Sequence, residues 1–308
     1  MERFSLVETA IRDSFADAVL TGLGTHPRRL PPRYFYDAEG TRLFDRITEL
    51  PEYYVTRVEM ELLVRHAGDF PEAPTVIEFG GGTGAKTRLL LEAWFRVQPR
   101  IRYVPIDISK TALTATAEAL LPDFPGLSVA AIQAEFDRAM ELIPREPSLV
   151  LFLGSNIGNF DEAEAVRFLR ALRGHQLLVG FDMVKDAATL HAAYNDAAGV
   201  TAAFNLNVLA RINRELGGAF DLAAWEHRAF YDAAASRIEM HLVSRREQDV
   251  RVAALDRTFA FRAGETIHTE NSYKFSPARI ASLARQSGLD VAKTWTDGRG
   301  WFSVALLT

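Results

Sequence analysis

The segment Ala73–Thr87, APTVIEFGGGTGAKT, limits the possible folds of this chain more than any other stretch. An apolar run rich in β-branched residues leads into glycines at positions 80, 81, 82 and 84, and a leucine-rich helical pattern follows. This order predicts a strand, a glycine turn and a helix. Because glycine has no Cβ and accepts positive φ, such a turn lets the backbone approach a ligand closely.

A carboxylate follows the next predicted strand at a spacing that suits a nucleoside ligand. The run YVPI, residues 103–106, leads into Asp107, and an acid roughly 20 to 30 residues past the turn can accept both hydroxyls of a ribose. Dinucleotides and S-adenosylmethionine both use this arrangement. The glycines here run E-x-G-x-G-x-G rather than G-x-G-x-x-G, and Glu78 would repel a pyrophosphate but suits a cationic sulfonium. The spacing therefore favours S-adenosylmethionine as the cofactor.

Strand and helix patterns alternate through the middle of the chain. Strands are predicted at 75–79, 101–107, 127–133, 149–153 and 176–181, and helices near 85–97 and 110–121. This alternation predicts an α/β fold with a parallel sheet and right-handed crossovers. Ligands of such sheets bind outside the carboxyl ends of the strands. The residues predicted at these ends are Glu78, Asp107, Glu135, Gly154 and Asp182.

The alternation then stops, which predicts a second domain. Residues 1–60 are mostly helical by pattern, and residues 187–270 show helical patterns followed by alternating strands. Residues 271–308 return to the first domain with a helix and a final hairpin, an antiparallel closure that is more typical of methyltransferases than of nicotinamide enzymes. We therefore predict a cofactor-binding domain of residues 61–186 and 271–308. Residues 1–60 and 187–270 are predicted to form a smaller α+β substrate-binding domain.

Composition argues against several other classes of protein. The formal net charge of the 308 residues is -5 and no basic run exceeds a few residues, which argues against a nucleic-acid partner. No apolar run approaches the ~20 residues that span a bilayer, and the first residues carry acids and lack a signal-peptide core, so we expect a cytoplasmic monomer. The chain has no cysteine, and His227, His241 and His268 lack metal-ligand spacing, so no metal is expected.

Five blocks of the sequence resemble the histidine-specific Nα-methyltransferases of ergothioneine biosynthesis. They are YFYDAEGTRLFDRITELPEYYVTR, EFGGGTGAKTRLLL, GSNIGNF, YNDAAGVTAAFNLNVL and TENSYKF, and the likeness extends from about Pro31 to the C-terminus. The resemblance implies a Rossmann-like class I methyltransferase sheet with a small substrate-binding domain. It also implies that L-histidine is converted to Nα,Nα,Nα-trimethylhistidine (hercynine) with three molecules of S-adenosylmethionine.

The resemblance implies the residues of the site as well. Three of them, Tyr36, Tyr53 and Asn159, are implied as catalytic, with the asparagine positioning the substrate amine and either tyrosine relaying a proton. The implied cofactor contacts are Tyr36, Gly80, Lys86, Asp107 and Glu135. The implied contacts with the amino acid are Tyr53, Gly154, Asn159, Tyr194, Met240, Glu270 and Ser272.

The chain departs from the family pattern at two places. The turn reads GGGTGAK where the better-known members carry G-S-G-T-S-x-K, and Glu135 stands where they carry Asp. The first departure could alter cofactor affinity slightly, and the second keeps the charge on a longer side chain. Neither changes the expected class of reaction.

The pair Glu270 and Ser272 has a chemical interpretation of its own. In an extended strand, residues two apart point to the same face, and a carboxylate and a hydroxyl can bind the two nitrogen edges of an imidazole. Such a site would select histidine over phenylalanine, because unpaired polar groups disfavour a substrate without partners. The spacing also fits an exposed strand whose polar side chains are solvated.

Other functions stay open at this point. A nicotinamide oxidoreductase is disfavoured by the glycine spacing, and a nucleic-acid methyltransferase would carry a Pro-Pro-Tyr-type segment where this chain has GSNIGN. A non-catalytic protein that binds S-adenosylmethionine is a further alternative. Within methyltransferases, the alternative is an N-methyltransferase of another aromatic amino acid.

Overall fold

Residues 3–9 and 14–308 are described in the computed structural model of this chain. Their strands are β1 (Phe4–Glu8), β2 (Arg28–Arg29), β3 (Thr75–Phe79), β4 (Ile101–Asp107), β5 (Leu127–Gln133), β6 (Leu149–Phe152), β7 (Gln176–Asp182), β8 (Trp225–Asp232), β9 (Arg237–Ser244), β10 (Gln248–Val252), β11 (Arg257–Phe261), β12 (Thr266–Tyr273), β13 (Val291–Thr296) and β14 (Phe302–Leu307). Their α-helices are α1 (Phe15–Gly24), α2 (Ala38–Glu49), α3 (Tyr54–His66), α4 (Ala85–Trp94), α5 (Lys110–Leu120), α6 (Phe136–Ala139), α7 (Glu162–Ala171), α8 (Ala187–Tyr194), α9 (Val200–Leu216) and α10 (Pro277–Ser287). None of the helices in these ranges has the length and apolar character needed to cross a membrane.

The chain divides into two compact units. The first contains Val55–Val184 and Lys274–Thr308 together with residues 3–9. The second contains Lys185–Tyr273 together with residues 14–54. These divisions lie close to the borders that the sequence predicts at residues 60, 186 and 270, except that the first strand belongs to the first unit.

The first unit is built on one eight-stranded sheet in the order β1-β5-β4-β3-β6-β7-β14-β13. The first six strands in this order are parallel, and β14 pairs antiparallel with both of its neighbours, β7 and β13. Every residue of β3 and β6 is buried, as expected for central strands of a parallel sheet that is covered on both faces. The α/β fold class and its antiparallel closure are therefore confirmed.

Strand β1 is an exception to the prediction that residues 1–60 are mostly helical, which α1, α2 and the start of α3 confirm. Phe4–Glu8 pair in parallel with residues 129–133 at the edge of the large sheet. The hydroxyl of Thr9 extends this pairing by donating to the carbonyl of Gln133 (2.9 Å). This strand depends on backbone pairing with β5 more than on the pattern of its own five residues. The short segment alone therefore could not predict the strand. Residues 1, 2 and 10–13 of the predicted helical part lie outside the described residues.

The second unit contains a four-stranded sheet in the order β2-β12-β9-β8, on which α9 packs, and the separate pair β10-β11. Two of the three asparagines of α9, poor helix formers, make hydrogen bonds with neighbouring elements. The Asn205 amide donates to the carbonyl of His241 (3.0 Å) and accepts from the hydroxyl of Thr269 (2.8 Å). Asn207 donates to the carboxylate of Asp37 (2.8 Å), which caps the N-terminus of α2. These bonds fix α9 against the sheet and α2.

Candidate active site

The glycine turn between β3 and α4 has a backbone conformation that glycine favours. Gly80, Gly82 and Gly84 have φ angles of 69°, 56° and 73°, in the left-handed region that other residues rarely adopt. A Cβ on Gly80 would lie 3.2 Å from Nδ2 of Asn156, so the turn closely approaches the loop that follows β6. The N–H of Gly80 donates to the carbonyl of Ile106 (2.9 Å), which places the turn beside the end of β4.

Two predicted cofactor residues lie at this same edge of the sheet. Asp107 is the last residue of β4, and its Oδ1 accepts from the N–H of Ser109 (2.8 Å). Burial raises the pKa of the Asp107 carboxyl, and backbone N–H donors oppose this rise. The carbonyl of Asp107 accepts from the N–H of Ala134 (3.1 Å), which brings Glu135 to the edge. Glu135 lies just beyond β5, as the N-cap residue of α6, and not at the strand end itself.

The structure corrects the interpretation of Glu78 as a charge presented to the ligand. This residue is 2% exposed, and its Oε2 accepts hydrogen bonds from the hydroxyls of Tyr103 (2.5 Å) and Thr87. Burial raises the pKa of the Glu78 carboxyl, against the effect of these two donors. The carboxyl therefore anchors the turn and the start of α4 from inside the unit. The sequence could not show this because it does not tell which neighbours surround the side chain.

Lys86 and Gly154, two further predicted site residues, are joined by Glu59, which the sequence analysis missed. The side chain of Glu59 is fully buried on α3 and forms an ion pair with Nζ of Lys86. The N–H of Gly154 donates to the two carboxylate oxygens of Glu59, at 2.7 and 3.0 Å. A signal was available in the sequence, because this acid lies on the apolar stripe of α3, between Val58 and Leu62.

Asn159, predicted to position the amine, ends a 3₁₀ turn, Asn156–Asn159, in the loop after β6, and its side chain is half-buried. The preceding Ser155 has a φ of 55°, and its hydroxyl accepts from the N–H of Asp182 (2.9 Å). Asp182 was predicted as a strand-end acid facing the ligand. Its carboxylate is fully buried and forms an ion pair with Lys274 (2.8 Å), so it has a structural role inside the first unit.

In the second unit, three predicted tyrosines belong to one aromatic group. The ring of Phe44 contacts Tyr36 and Tyr53, with ring centroids 5.7 and 6.4 Å apart, and the ring of Tyr53 contacts Tyr194 at 6.4 Å. Tyr36 is half-buried, whereas Tyr53 and Tyr194 are buried. Both candidates for the proton relay therefore contact the same phenylalanine, and packing does not distinguish between them.

The remaining predicted residues form a buried polar group on one face of the four-stranded sheet. Glu270 and Ser272 are 8% and 6% exposed, so the alternative of an exposed, solvated strand is wrong. The hydroxyl of Tyr194 donates to Oγ of Ser272 (2.7 Å). Met240 lies directly opposite Glu270 in the pairing of β9 with β12 and is also buried. A carboxylate and two hydroxyls thus lie beside an apolar side chain.

The other face of this sheet brings together Glu239, His241 and His268, whose potential metal-ligand atoms all lie within 4.8 Å of one another. Sequence spacing missed this group because His268 comes from a neighbouring strand, where it pairs with His241. Glu239 accepts from Nε2 of His241 (2.9 Å) and from Nε of Arg237 (2.8 Å). Although burial opposes it, these donors hold the pKa of Glu239 below its usual value.

Comparisons with known proteins extend over both units. A family model described as "Histidine-specific methyltransferase, SAM-dependent" matches residues 15–308. Histidine N-alpha-methyltransferase of Mycolicibacterium smegmatis is 43% identical, over 98% of this chain and 98% of that protein. The protein of the same name from Mycobacterium tuberculosis is 44% identical, over 94% of this chain and 92% of that protein. Ergothioneine biosynthesis protein 1 of Neurospora crassa is 30% identical over 88% of this chain, which spans 32% of that longer protein.

Proposed function

Because this chain belongs to the family of histidine-specific, S-adenosylmethionine-dependent methyltransferases, we propose that it methylates the α-amine of L-histidine. The proposed product is Nα,Nα,Nα-trimethylhistidine (hercynine), formed with three molecules of S-adenosylmethionine. The proposed setting is ergothioneine biosynthesis. The family and the cofactor that the sequence predicts are confirmed by similarity over nearly the whole chain.

The strand ends of the first unit suit the cofactor. S-Adenosylmethionine, when bound, supplies an electrophilic methyl group on a cationic sulfur. The glycine turn leaves its backbone open to close approach at Gly82, where a Cβ would have no neighbour within 4 Å. Asp107 and Glu135 lie together at the edge of the sheet and would accept hydrogen bonds from ribose hydroxyls and other donors of the cofactor. Lys86 would stand beside them in the first turn of α4.

The observation that carries the choice of histidine is the buried polar group of Glu270, Ser272 and Tyr194. A neutral imidazole has one N–H donor and one nitrogen acceptor. The Glu270 carboxylate would accept from the N–H. A serine hydroxyl both accepts and donates, so Ser272 can accept from Tyr194 (2.7 Å) and donate to the other ring nitrogen. A phenyl ring offers neither a donor to Glu270 nor an acceptor to Ser272, which disfavours it.

The reaction requires a neutral amine. The lone pair of the α-nitrogen forms the new N–C bond as the S–C bond breaks, and the electron pair of that bond stays on sulfur. A protonated amine has no lone pair, so one proton leaves the nitrogen before each transfer. Asn159 is proposed to orient the amine through its side-chain carbonyl, and Tyr36 or Tyr53 to relay the departing proton to solvent by accepting it on the hydroxyl oxygen as its own O–H proton leaves. Holding the reacting atoms about 3 Å apart in line supplies much of the rate enhancement.

A competition among amino acids tests this proposal. The protein is incubated with S-adenosylmethionine and the common amino acids together, and mass spectrometry identifies the species that gain methyl groups. We expect histidine to gain three methyl groups in strong preference to every other amino acid. If tryptophan or phenylalanine is methylated in preference, the proposed substrate is wrong while the family assignment stands.

We further propose that the enzyme acts on free L-histidine as a monomer in the cytoplasm. Its net charge of -5 speaks against a nucleic-acid partner. Light scattering after size exclusion checks the oligomeric state, since a monomer has a mass of 34.3 kDa. A mass of twice this value would contradict the proposed monomer.

A further inference from the structure

Glu59 carries a carboxylate that is completely removed from solvent within the first unit. Burying an ionised carboxylate is strongly unfavourable unless it is paired and hydrogen-bonded. Both conditions are met here by Lys86 and by the N–H of Gly154, which lies 2.7 and 3.0 Å from the two oxygens. The fold also makes room for this carboxylate, because a Cβ on Gly180 of β7 would lie 2.4 Å from Oε1. A surface acid would need none of these arrangements.

The partners of Glu59 lie where the glycine turn meets the loop after β6. Lys86 is in the first turn of α4, and its Nζ lies 3.3 Å from the position that a Cβ on Gly154 would occupy. Asn156 approaches both elements, since its Nδ2 lies 3.2 and 3.6 Å from the corresponding Cβ positions on Gly80 and Gly154. A charge on Lys86 is therefore a charge beside the turn that is proposed to hold the cofactor.

The sign of this charge matters for the reaction. The methyl donor carries a positive charge on sulfur, whereas the product S-adenosylhomocysteine is a neutral thioether at that atom. A lysine without a counter-charge would repel the donor but not the product. At an effective dielectric constant of about 20, two unit charges about 10 Å apart change an affinity roughly ten-fold. Glu78, a second buried acid near the turn, accepts from the hydroxyls of Thr87 and Tyr103, whereas Glu59 forms the ion pair with Lys86.

We propose that Glu59 is a positioning residue that sets the preference of the site for the cationic methyl donor over its neutral product. Its carboxylate cancels the charge of Lys86 and, in the same contact, holds the N–H of Gly154 at the end of β6. Without this carboxylate the enzyme would bind S-adenosylhomocysteine relatively better and would be more strongly inhibited by its own product. The inference rests on the proposed function, because it assumes that the turn binds S-adenosylmethionine.

Calorimetry with three ligands tests the proposal without any turnover. S-Adenosylmethionine and sinefungin, an analogue with an amine near the position of the methyl group, are the cationic probes, and S-adenosylhomocysteine is the neutral one. In Glu59→Gln we expect both cationic ligands to lose affinity roughly ten-fold more than the neutral one does. A parallel loss for all three ligands would overturn the proposal, because a merely structural role does not distinguish charge.

A double-mutant cycle with Lys86 supplies the control. Lys86→Met keeps the carboxylate, so the preference should shift in the opposite sense, toward the cationic ligands. The double variant Glu59→Gln with Lys86→Met removes both charges and should return the preference to within about three-fold of that of the unmodified protein. If Glu59→Gln does not fold, Lys86→Met alone decides, and an unchanged preference in it would overturn the proposal.

These outcomes are separate from the identity of the amino acid. If the unmodified protein binds the cofactor but does not methylate histidine, the proposed function fails and the charge effect can still be measured. If histidine is methylated and the preference does not change in the variants, the proposed role of Glu59 alone fails.

Discussion

The two units present site residues of different kinds. In the first unit, the predicted cofactor residues lie at strand ends and in a glycine turn, so backbone groups shape much of the site. Three acids that are almost completely buried there, Glu59, Glu78 and Asp182, bond to partners within the unit. In the second unit, the predicted residues are aromatic and polar side chains that pack beside one face of a sheet. They include Tyr53, Tyr194 and Ser272, each exposed by 9% or less.

This difference implies that cofactor binding and amino-acid selection depend on different kinds of groups. A turn and strand ends can hold the same cofactor for many acceptors, whereas a buried set of side chains sets the choice of one acceptor. Substitutions at the strand ends and the turn should therefore change cofactor affinity, and substitutions in the buried set of side chains should change the amino acid that is methylated.

Glu270→Ala should have the largest effect and should be specific to histidine. Loss of a charge-assisted hydrogen bond to the imidazole should lower kcat/KM for histidine roughly 100-fold. Phenylalanine and tryptophan should lose less, since their rings do not use the carboxylate. Steady-state rates with each amino acid check this.

The matched control for this variant is Glu239→Ala, on the opposite face of the same sheet. It should leave the ratio of histidine to phenylalanine rates unchanged. An equal decline for all amino acids in Glu270→Ala would mean that Glu270 has a structural role.

Asp107→Ala should weaken the binding of S-adenosylhomocysteine and leave the choice of amino acid alone. The lost hydrogen bonds to the ribose correspond to roughly 1.5 to 3 kcal/mol, or about 10- to 100-fold in affinity. Calorimetry measures the affinity for S-adenosylhomocysteine. Asp123→Ala, at an exposed turn after α5, serves as the control. Unchanged affinity in Asp107→Ala would show that the cofactor does not use the end of β4.

Asn205→Ala should lower the stability of the second unit without changing cofactor affinity. It removes the amide that donates to the carbonyl of His241 and to Nδ1 of His227 and that accepts from the hydroxyl of Thr269, and these lost hydrogen bonds correspond to about 1 to 3 kcal/mol. Urea unfolding measures this, with the exposed Glu247→Ala as a control that should change stability by less than about 0.5 kcal/mol. A loss no larger than that of the control would contradict the account of α9.

A pH effect on stability should be the smallest. Burial lowers the pKa of His227, and the neutral ring fits its contacts, with Nε2 donating to the carbonyl of Tyr194 (2.9 Å) and Nδ1 accepting from Asn205 (2.9 Å). The unfolded chain takes up a proton near pH 6.5 that the folded chain does not, so stability should fall as the pH drops below about 6.5.

Urea midpoints at pH 7.5 and pH 5.5 test this effect. In His227→Gln the loss of stability between these two values should be smaller than in the unmodified protein, by about 1 kcal/mol. Equal losses would mean that other groups determine the acid sensitivity.

The difference between the units also explains how much the sequence could predict. The turn, Asp107 and the order of strands follow from residues close together in the chain, and their pattern is enough to predict them. The contact of Tyr194 with Ser272 joins residues that are far apart in the chain. Their spacing could not predict this contact, and only the resemblance to a family implied that both belong to the site. Without the resemblance, the spacing of Glu270 and Ser272 also fitted an exposed strand.

The errors lie where long-range contacts decide the outcome. Strand β1 forms because its backbone pairs with the edge of β5. Glu78 and Asp182 follow the pattern of strand-end acids, but Tyr103 and Lys274 hold them inside the first unit. Glu59 was missed because its role depends on three separate elements of the fold.

The position of the new methyl groups tests the central claim most directly. If Glu270 and Ser272 hold the imidazole, its ring nitrogens are occupied and the α-nitrogen is the atom that reacts. The unmodified protein is incubated with L-histidine and S-adenosylmethionine carrying a ¹³C-labelled methyl group, and two-dimensional NMR shows which carbons couple to the label. We predict that every labelled methyl group correlates with the α-carbon and none with a ring carbon. Labelled methyl groups on the imidazole nitrogens would contradict the assignment of the second unit as the part that holds the ring.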